Sequence, residues 1–179
     1  MKKAMYLATA ISGFLTAVFV ILVFSGLHWA MPYAITFATC LYHFAMRLLV
    51  GHRLNRIMRN QADYRKSWYQ LRPIEKRLYK LFKVKKWKAN MPTYDPSCFD
   101  PELHSWDEIA QAMCQAELVH EVIAVFSFLP LLAAIPFGAF WVFLITSVLS
   151  ALFDLSFAIM QRYNRPRILR FIEKARTVQ

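Results

Sequence analysis

The chain has 179 residues, of which 58% are hydrophobic and 18% charged, with 22 Lys+Arg against 11 Asp+Glu and a formal net charge of +11. Soluble domains are roughly 45–50% apolar and ~25% charged, so this chain is both greasier and more basic than a soluble domain. The apolar fraction excludes intrinsic disorder. Three scattered cysteines, Cys40, Cys98 and Cys114, exclude a disulfide scaffold, and charge on so greasy a chain argues against a nucleic-acid module.

A helix needs about 20 mostly apolar residues to cross a bilayer, and four stretches supply them. The first covers residues 4–26 without a charge. Lys2 and Lys3 precede it, but its apolar run outlasts the roughly 7–15 residues of a signal-peptide core, so a retained helix is expected. The second covers 29–50, interrupted by His43 and Arg47. A long loop, 51–116, separates it from the third, 118–135, and the fourth, 138–160, which a tail at 161–179 follows. Breaks at Gly26-Leu-His28 and Pro136-Phe-Gly138 join the stretches in pairs. The expected fold is therefore all-α: one integral membrane domain of four transmembrane helices in two hairpins, joined by the long loop.

The cations orient it. Lys2 and Lys3 precede the first helix, Arg47 ends the second, thirteen Lys and Arg lie between Arg53 and Lys88, and six between Arg162 and Arg176. Neither tight turn carries one, so the positive-inside rule puts both termini and the loop on the cytoplasmic side of the membrane. Anionic membrane lipid accounts for most of the net charge, with no nucleic-acid partner needed.

In the loop, Leu71, Ile74, Leu78, Leu81 and Phe82 recur at helical spacing between Lys76, Arg77, Lys80 and Lys83. Pro73 suits the first turn, and the pattern predicts an amphipathic helix in the cytoplasmic interface. Its cations also suit a polyanion, either the phosphates of an acyl carrier or phospholipid. Residues 91–105, with Pro92, Pro96 and Pro101, read as an irregular strap. Ser105-Trp-Asp-Glu108 fits a capping box for a helix that runs from Trp106 into the membrane and is kinked by Pro130. On this reading His104 and Asp107 belong to the cap and not to a catalytic His…Asp pair.

Ionisable groups inside the membrane are functional candidates by default. Glu117, His120 and Glu121 share one face of the third helix, and a carboxylate that orients an imidazole lets it take a proton from an alcohol. Glu-x-x-His is also a metal-ligand spacing, but the second copy such a site needs is absent. Polar stripes on the other helices (Ser147, Ser150, Asp154 and Gln161; Thr36, His43 and Arg47; Thr9, Ser12 and Thr16) must face one another. After the fourth helix comes Gln161-Arg-Tyr-Asn-Arg-Pro-Arg167, whose arginines suit carboxylate or phosphate.

That last segment resembles the C-terminal signature of the glycosyl-4,4'-diaponeurosporenoate acyltransferases, small bacterial membrane enzymes of staphyloxanthin-type carotenoid biosynthesis. Val84-Lys-Lys-Trp-Lys88 and Ala116-Glu-Leu-Val-His120 resemble two further segments of that family, and the similarity spans roughly residues 65–170. The resemblance carries over Trp87, Lys88, Glu117, His120, Arg162, Tyr163, Asn164, Arg165, Pro166 and Arg167, and implies transfer of a fatty acyl group to a hydroxyl of a carotenoid-linked sugar. The expectation is a membrane O-acyltransferase in which His120 is general base and Glu117 orients it. Lys85, Lys86 and Lys88 hold the phosphates of acyl-CoA or acyl-ACP, the donor substrate. Arg162, Tyr163, Asn164, Arg165 and Arg167 contact the lipid-linked glycoside acceptor or the oxyanion. Glu121, Asp154, His43 and Arg47 are secondary candidates, and Cys114, one turn before Glu117, is a weaker candidate for an acyl-enzyme. No metal or cofactor is expected, and a homo-oligomer is compatible with the sequence. The other readings are a non-catalytic lipid-binding subunit or scaffold and, more remotely, a membrane methyltransferase.

Overall fold

A computed structural model of the chain describes residues 2–177. Residues 178 and 179 of the expected tail lie outside the described residues. The described residues form seven helices, α1 (Lys2–Phe24), α2 (Met31–Met58), α3 (Pro73–Leu81), α4 (Val84–Trp87), α5 (Trp106–Phe126), α6 (Ala134–Phe137) and α7 (Phe140–Thr177), with short 3₁₀ turns in most of the connections. No strand occurs among the described residues, and four helical stretches are long and apolar enough to cross a membrane. α1 packs along α2, α2 against α5, and α5 along α7.

The turns between paired helices follow from backbone sterics. Gly26 (φ +89°) turns the chain out of α1 and Gly138 (φ +68°) out of α6, a region in which a side chain is strained. α5 stops at Phe126, and a 3₁₀ turn over Leu129–Ala133 carries Pro130. The proline has no N–H for a continuing helix, so the third apolar stretch is broken rather than bent.

Two helices outrun their apolar stretches. α2 continues past residue 50 to Met58 and ends where Arg59 (φ 49°) and Asn60 (φ 58°) turn left-handed. Gln115 of α5 clamps that end: its Oε1 accepts from the Asn60 backbone N–H (2.7 Å) and its Nε2 donates to Asn55 Oδ1 (3.0 Å). The segment expected as a separate tail is instead the last part of α7, which passes through Pro166 to Thr177. At 1.5 Å per residue α7 is about 57 Å long, well beyond the roughly 30 Å of a bilayer core. Its end packs with the loop: Ala62, Tyr64, Tyr69, Ala110, Cys114 and Ile172 form a small core.

The expected caps form. Ser105 Oγ accepts from the Glu108 N–H (3.3 Å), and Glu108 Oε2 accepts from the Ser105 N–H (2.8 Å). Asp107 takes the Tyr64 hydroxyl (2.6 Å) and Gln111 (2.7 Å), not His104. α3 starts at Pro73, with Glu75 accepting from the Arg72 N–H (2.7 Å). Only Tyr79 of α3 is buried, whereas Ile74, Leu78, Leu81 and the following Phe82 are exposed. The apolar stripe of this amphipathic helix therefore faces away from the protein.

Candidate active site

Two ionic clusters join α5 to α7. The first centres on Glu117, which is fully buried. Arg162 Nη1 donates to its Oε1 (2.6 Å), and Arg165 pairs with its Oε2. Arg162 Nε also meets Glu75 Oε1 of α3 (3.0 Å), and Arg162 Nη2 donates to the Gln70 carbonyl (3.3 Å). Arg165, 1% exposed, donates from Nη1 to the Tyr69 carbonyl (2.5 Å) and lies over the Tyr69 ring. Every strong charge in this knot is answered by another, so it locks α3 and the 69–75 segment onto α5 and α7.

The second cluster lies deeper in the bundle and centres on Asp154 of α7, 1% exposed. Arg47 Nη2 donates to Asp154 Oδ2 (2.5 Å) and to Ser150 Oγ (2.8 Å), and Arg47 Nη1 to the His43 carbonyl (2.9 Å). Ser150 Oγ also lies 3.1 Å from His43 Nδ1 and from Ser127 Oγ. The other carboxylate oxygen, Oδ1, lies 3.1 Å from His120 Nδ1. A carboxylate carries no proton to give, so Nδ1 is the donor and the lone pair of a neutral imidazole is left at Nε2. Phe157 stacks on the ring at 4.9 Å and fixes its plane.

This second cluster forms part of the wall of a cavity of about 430 Å³ that lies between α1, α2, α5, α7 and the 92–99 strap. Its wall includes the apolar side chains of Met5, Tyr6, Leu48, Ile123, Phe153 and Met160 and the polar ones of His52, Asn55, Asn60 and Gln161. Tyr6 of α1 and Phe153 of α7, both on this wall, are more than half exposed. The strap is tied to α1 by an ion pair between Asp95 and Lys2, which also lies over the Tyr94 ring.

The expected partnership on α5 is not formed. Glu117 faces the arginines of α7, Glu121 accepts from the Trp68 indole (3.0 Å), and His120 meets Asp154. One helical face thus divides among three neighbours. Arg162 and Arg165 meet Glu117, Glu75 and backbone carbonyls. Cys114 is fully buried in the loop core and does not line the cavity.

The remaining expected residues gather toward the C-terminal part of α7. Lys88 donates to Asn164 Oδ1 and sits 4.6 Å above the Tyr163 ring, which packs on Tyr79. Burial, and then the nearby Arg167 and Lys85, hold the Lys88 ammonium below the usual lysine range. Lys85 and Lys86 are exposed; Trp87 donates to the Phe82 carbonyl (3.2 Å) and closes the short turn of α4. Sequence reasoning missed Glu75 as the partner of Arg162, the Tyr69 carbonyl as the partner of Arg165, and Phe157 under His120. Of these only Phe157 left a signal, three residues after Asp154 on the same stripe.

The family model described as CrtO, glycosyl-4,4'-diaponeurosporenoate acyltransferase, matches residues 65–174. The match covers more than half of the chain, and the chain belongs to this family of acyltransferases, as the three segments in the loop, α5 and α7 suggested. It takes in α3 to α7, with Glu117, His120 and Asp154, but not Arg47 of α2. No curated protein and no solved structure matches the chain.

Proposed function

We propose that this member of the glycosyl-4,4'-diaponeurosporenoate acyltransferase family is an integral membrane O-acyltransferase. It carries a fatty acyl group from acyl-CoA or acyl-ACP to a hydroxyl of a lipid-linked sugar such as a carotenoid glycoside. The carrying observation is the His120–Asp154 pair on the wall of a cavity lined by both apolar and polar side chains.

Asp154 holds the imidazole in the Nδ1–H tautomer, so Nε2 accepts the proton of the acceptor hydroxyl. As that proton leaves, the hydroxyl oxygen bonds to the thioester carbonyl carbon. Collapse of the tetrahedral intermediate breaks the C–S bond, and the imidazolium returns its proton to the departing thiolate. Arg47 balances the charge of Asp154, so a buried carboxylate does not have to draw a second proton into the site. In this scheme the orienting role expected of Glu117 falls to Asp154, and Glu117, Arg162 and Arg165 hold the frame.

The four helices form two hairpins in a bacterial inner membrane, with both termini and the loop cytoplasmic. The acceptor's tail enters from lipid between α1 and α7. α3 lies in the interface with its exposed apolar stripe toward acyl chains and its lysines toward headgroups. Lys85, Lys86, Lys88, Arg167 and Asn164 take the phosphates of the carrier.

Purified protein in lipid nanodiscs, supplied with acyl-CoA and a carotenoid glucoside, tests the reading. Acyl ester should form with the wild type and fall to background with His120→Ala. Full activity in that variant removes His120 as the base.

A further inference from the structure

The chain has four glycines. Gly26 and Gly138 hold turns at positive φ. Gly13 lies where α1 meets α2, and a Cβ there would sit in ordinary van der Waals contact with Leu41 Cδ1 at 3.6 Å. Gly51 has neither a turn nor a neighbour. It sits inside α2 without positive φ, and a Cβ built on it meets nothing within 4 Å. Glycine is disfavoured inside a helix relative to alanine, so packing and backbone geometry both favour a side chain at this position.

The open space beside Gly51 belongs to the catalytic cavity, whose wall it helps to form. Arg47, Gly51 and Asn55 are four residues apart and make one stripe along α2. At one end of the stripe Arg47 holds Asp154 and through it His120. At the other, Asn55 is bonded to Gln115. Between them lies bare backbone, with the Phe153 and Phe157 rings and the Gln161 amide elsewhere on the same wall. Amides match sugar hydroxyls, and aromatic rings match the C–H face of a sugar ring. The space also lies beside the base that must reach a sugar hydroxyl.

We infer that Gly51 is a specificity-determining residue that keeps open the seat of the acceptor's sugar beside His120. The inference rests on the acyl-transfer reading for the presence of a sugar and adds the position that admits it. A side chain at residue 51 fills the seat without disturbing the helix, so stability and activity part company.

The test uses the full chain in nanodiscs with Gly51→Ala and Gly51→Leu. The Leu variant should keep or raise the thermal midpoint of unfolding. Its KM for an alkyl glucoside acceptor should rise by about tenfold or more, with the KM for acyl-CoA within about twofold of wild type. The Ala variant should fall between the two, and it carries the test if the Leu variant does not fold. Equilibrium binding of a fluorescent alkyl glucoside, against the alcohol with the same chain, reads the seat without turnover: Gly51→Leu should lose the preference for the glucoside. An unchanged glucoside KM, or a rise in the acyl-CoA KM instead, overturns the inference and leaves acyl transfer standing. If the wild type transfers no acyl group yet binds the glucoside through residue 51, the seat stands and the acyl-transfer reading falls.

Discussion

Glu117 and Asp154 are both buried carboxylates, both paired with arginine across the helices of one bundle, and they are opposites. Glu117 faces inward only: it pairs with Arg162 and Arg165, Arg162 also meets Glu75 and the Gln70 carbonyl, and Arg165 donates to the Tyr69 carbonyl. Asp154 is saturated on one side only by structure, through Arg47. On the other side it meets a histidine whose ring is 23% exposed and borders a cavity. A buried charge whose partners are all internal holds elements together. A buried charge that ends on a titratable group at a cavity wall prepares that group for a substrate. Burial and pairing alone do not separate the two; the end of the chain of contacts does.

The contrast makes graded predictions. The largest effect belongs to the open cluster. His120→Ala should lower kcat by about 10²- to 10⁴-fold, the usual contribution of a general base, with little change in unfolding temperature. Equal loss of activity and fold would make the open cluster structural like the closed one.

Glu117→Ala should behave in reverse. Removing one partner from a buried ion cluster costs about 3–5 kcal/mol because it strands the rest. Thermal unfolding and protease sensitivity of the loop should report it, and Glu117→Met combined with Arg162→Leu and Arg165→Met should recover much of the loss. Failure of that apolar set together with retained stability in the single variant would give Glu117 a chemical role.

Asp154→Asn should lower kcat, because an amide in that place can present its N–H to Nδ1 and push the proton to Nε2, and it should also lower the unfolding temperature, because Arg47 loses its counter-charge. The diagnostic is the ratio of the two losses: Asp154→Asn should cost more activity than stability, and Glu117→Gln the reverse.

The smallest effect concerns the cation group outside the bundle. The Lys88 proton is held less tightly than that of an ordinary lysine, first through burial and then through Arg167 and Lys85. An anionic carrier needs the charged form, so the KM for acyl-CoA should climb with rising pH before an ordinary lysine titrates, and Lys88→Arg should flatten the rise. The sign for stability is opposite. In that window the unfolded chain holds the proton more tightly than the folded one, so stability increases with pH, and weaker donor binding there is not unfolding.

The parts of this architecture that were legible in the sequence are local. Hydropathy marked four stretches, Ser105 and Glu108 marked the start of α5, and Pro73 that of α3. Hydropathy marks where lipid ends, however, and not where a helix ends. α2 runs to Met58 although Gly51 and Asn55 are weak helix formers, with Gln115 of α5 bonded to Asn55 and Asn60 at its end, and α7 carries the Arg162–Arg167 segment as helix, Pro166 included, with Arg162 and Arg165 held by Glu117. The strong basic run of the loop concealed its core, since Ala62, Tyr64 and Tyr69 are spaced irregularly and find Cys114 and Ile172 only through the fold.

Composition and periodicity by themselves determined an all-helical chain with four membrane-length apolar stretches and its ionisable residues gathered toward one end of them. They also brought His120 forward, because an imidazole on an apolar helix has few ordinary reasons to be there. Its partner was beyond their reach. Glu117 is one turn away in sequence, but the rotation and level of α5 against α7 aim that carboxylate at two arginines and leave Asp154, 34 residues on, to face the ring. Helix periods and caps are settled within a turn or two of chain. Which buried charges meet, and which of them opens on a cavity, is settled by the packing of whole helices, where a charge in a low-dielectric interior pairs with whatever the fold brings within reach.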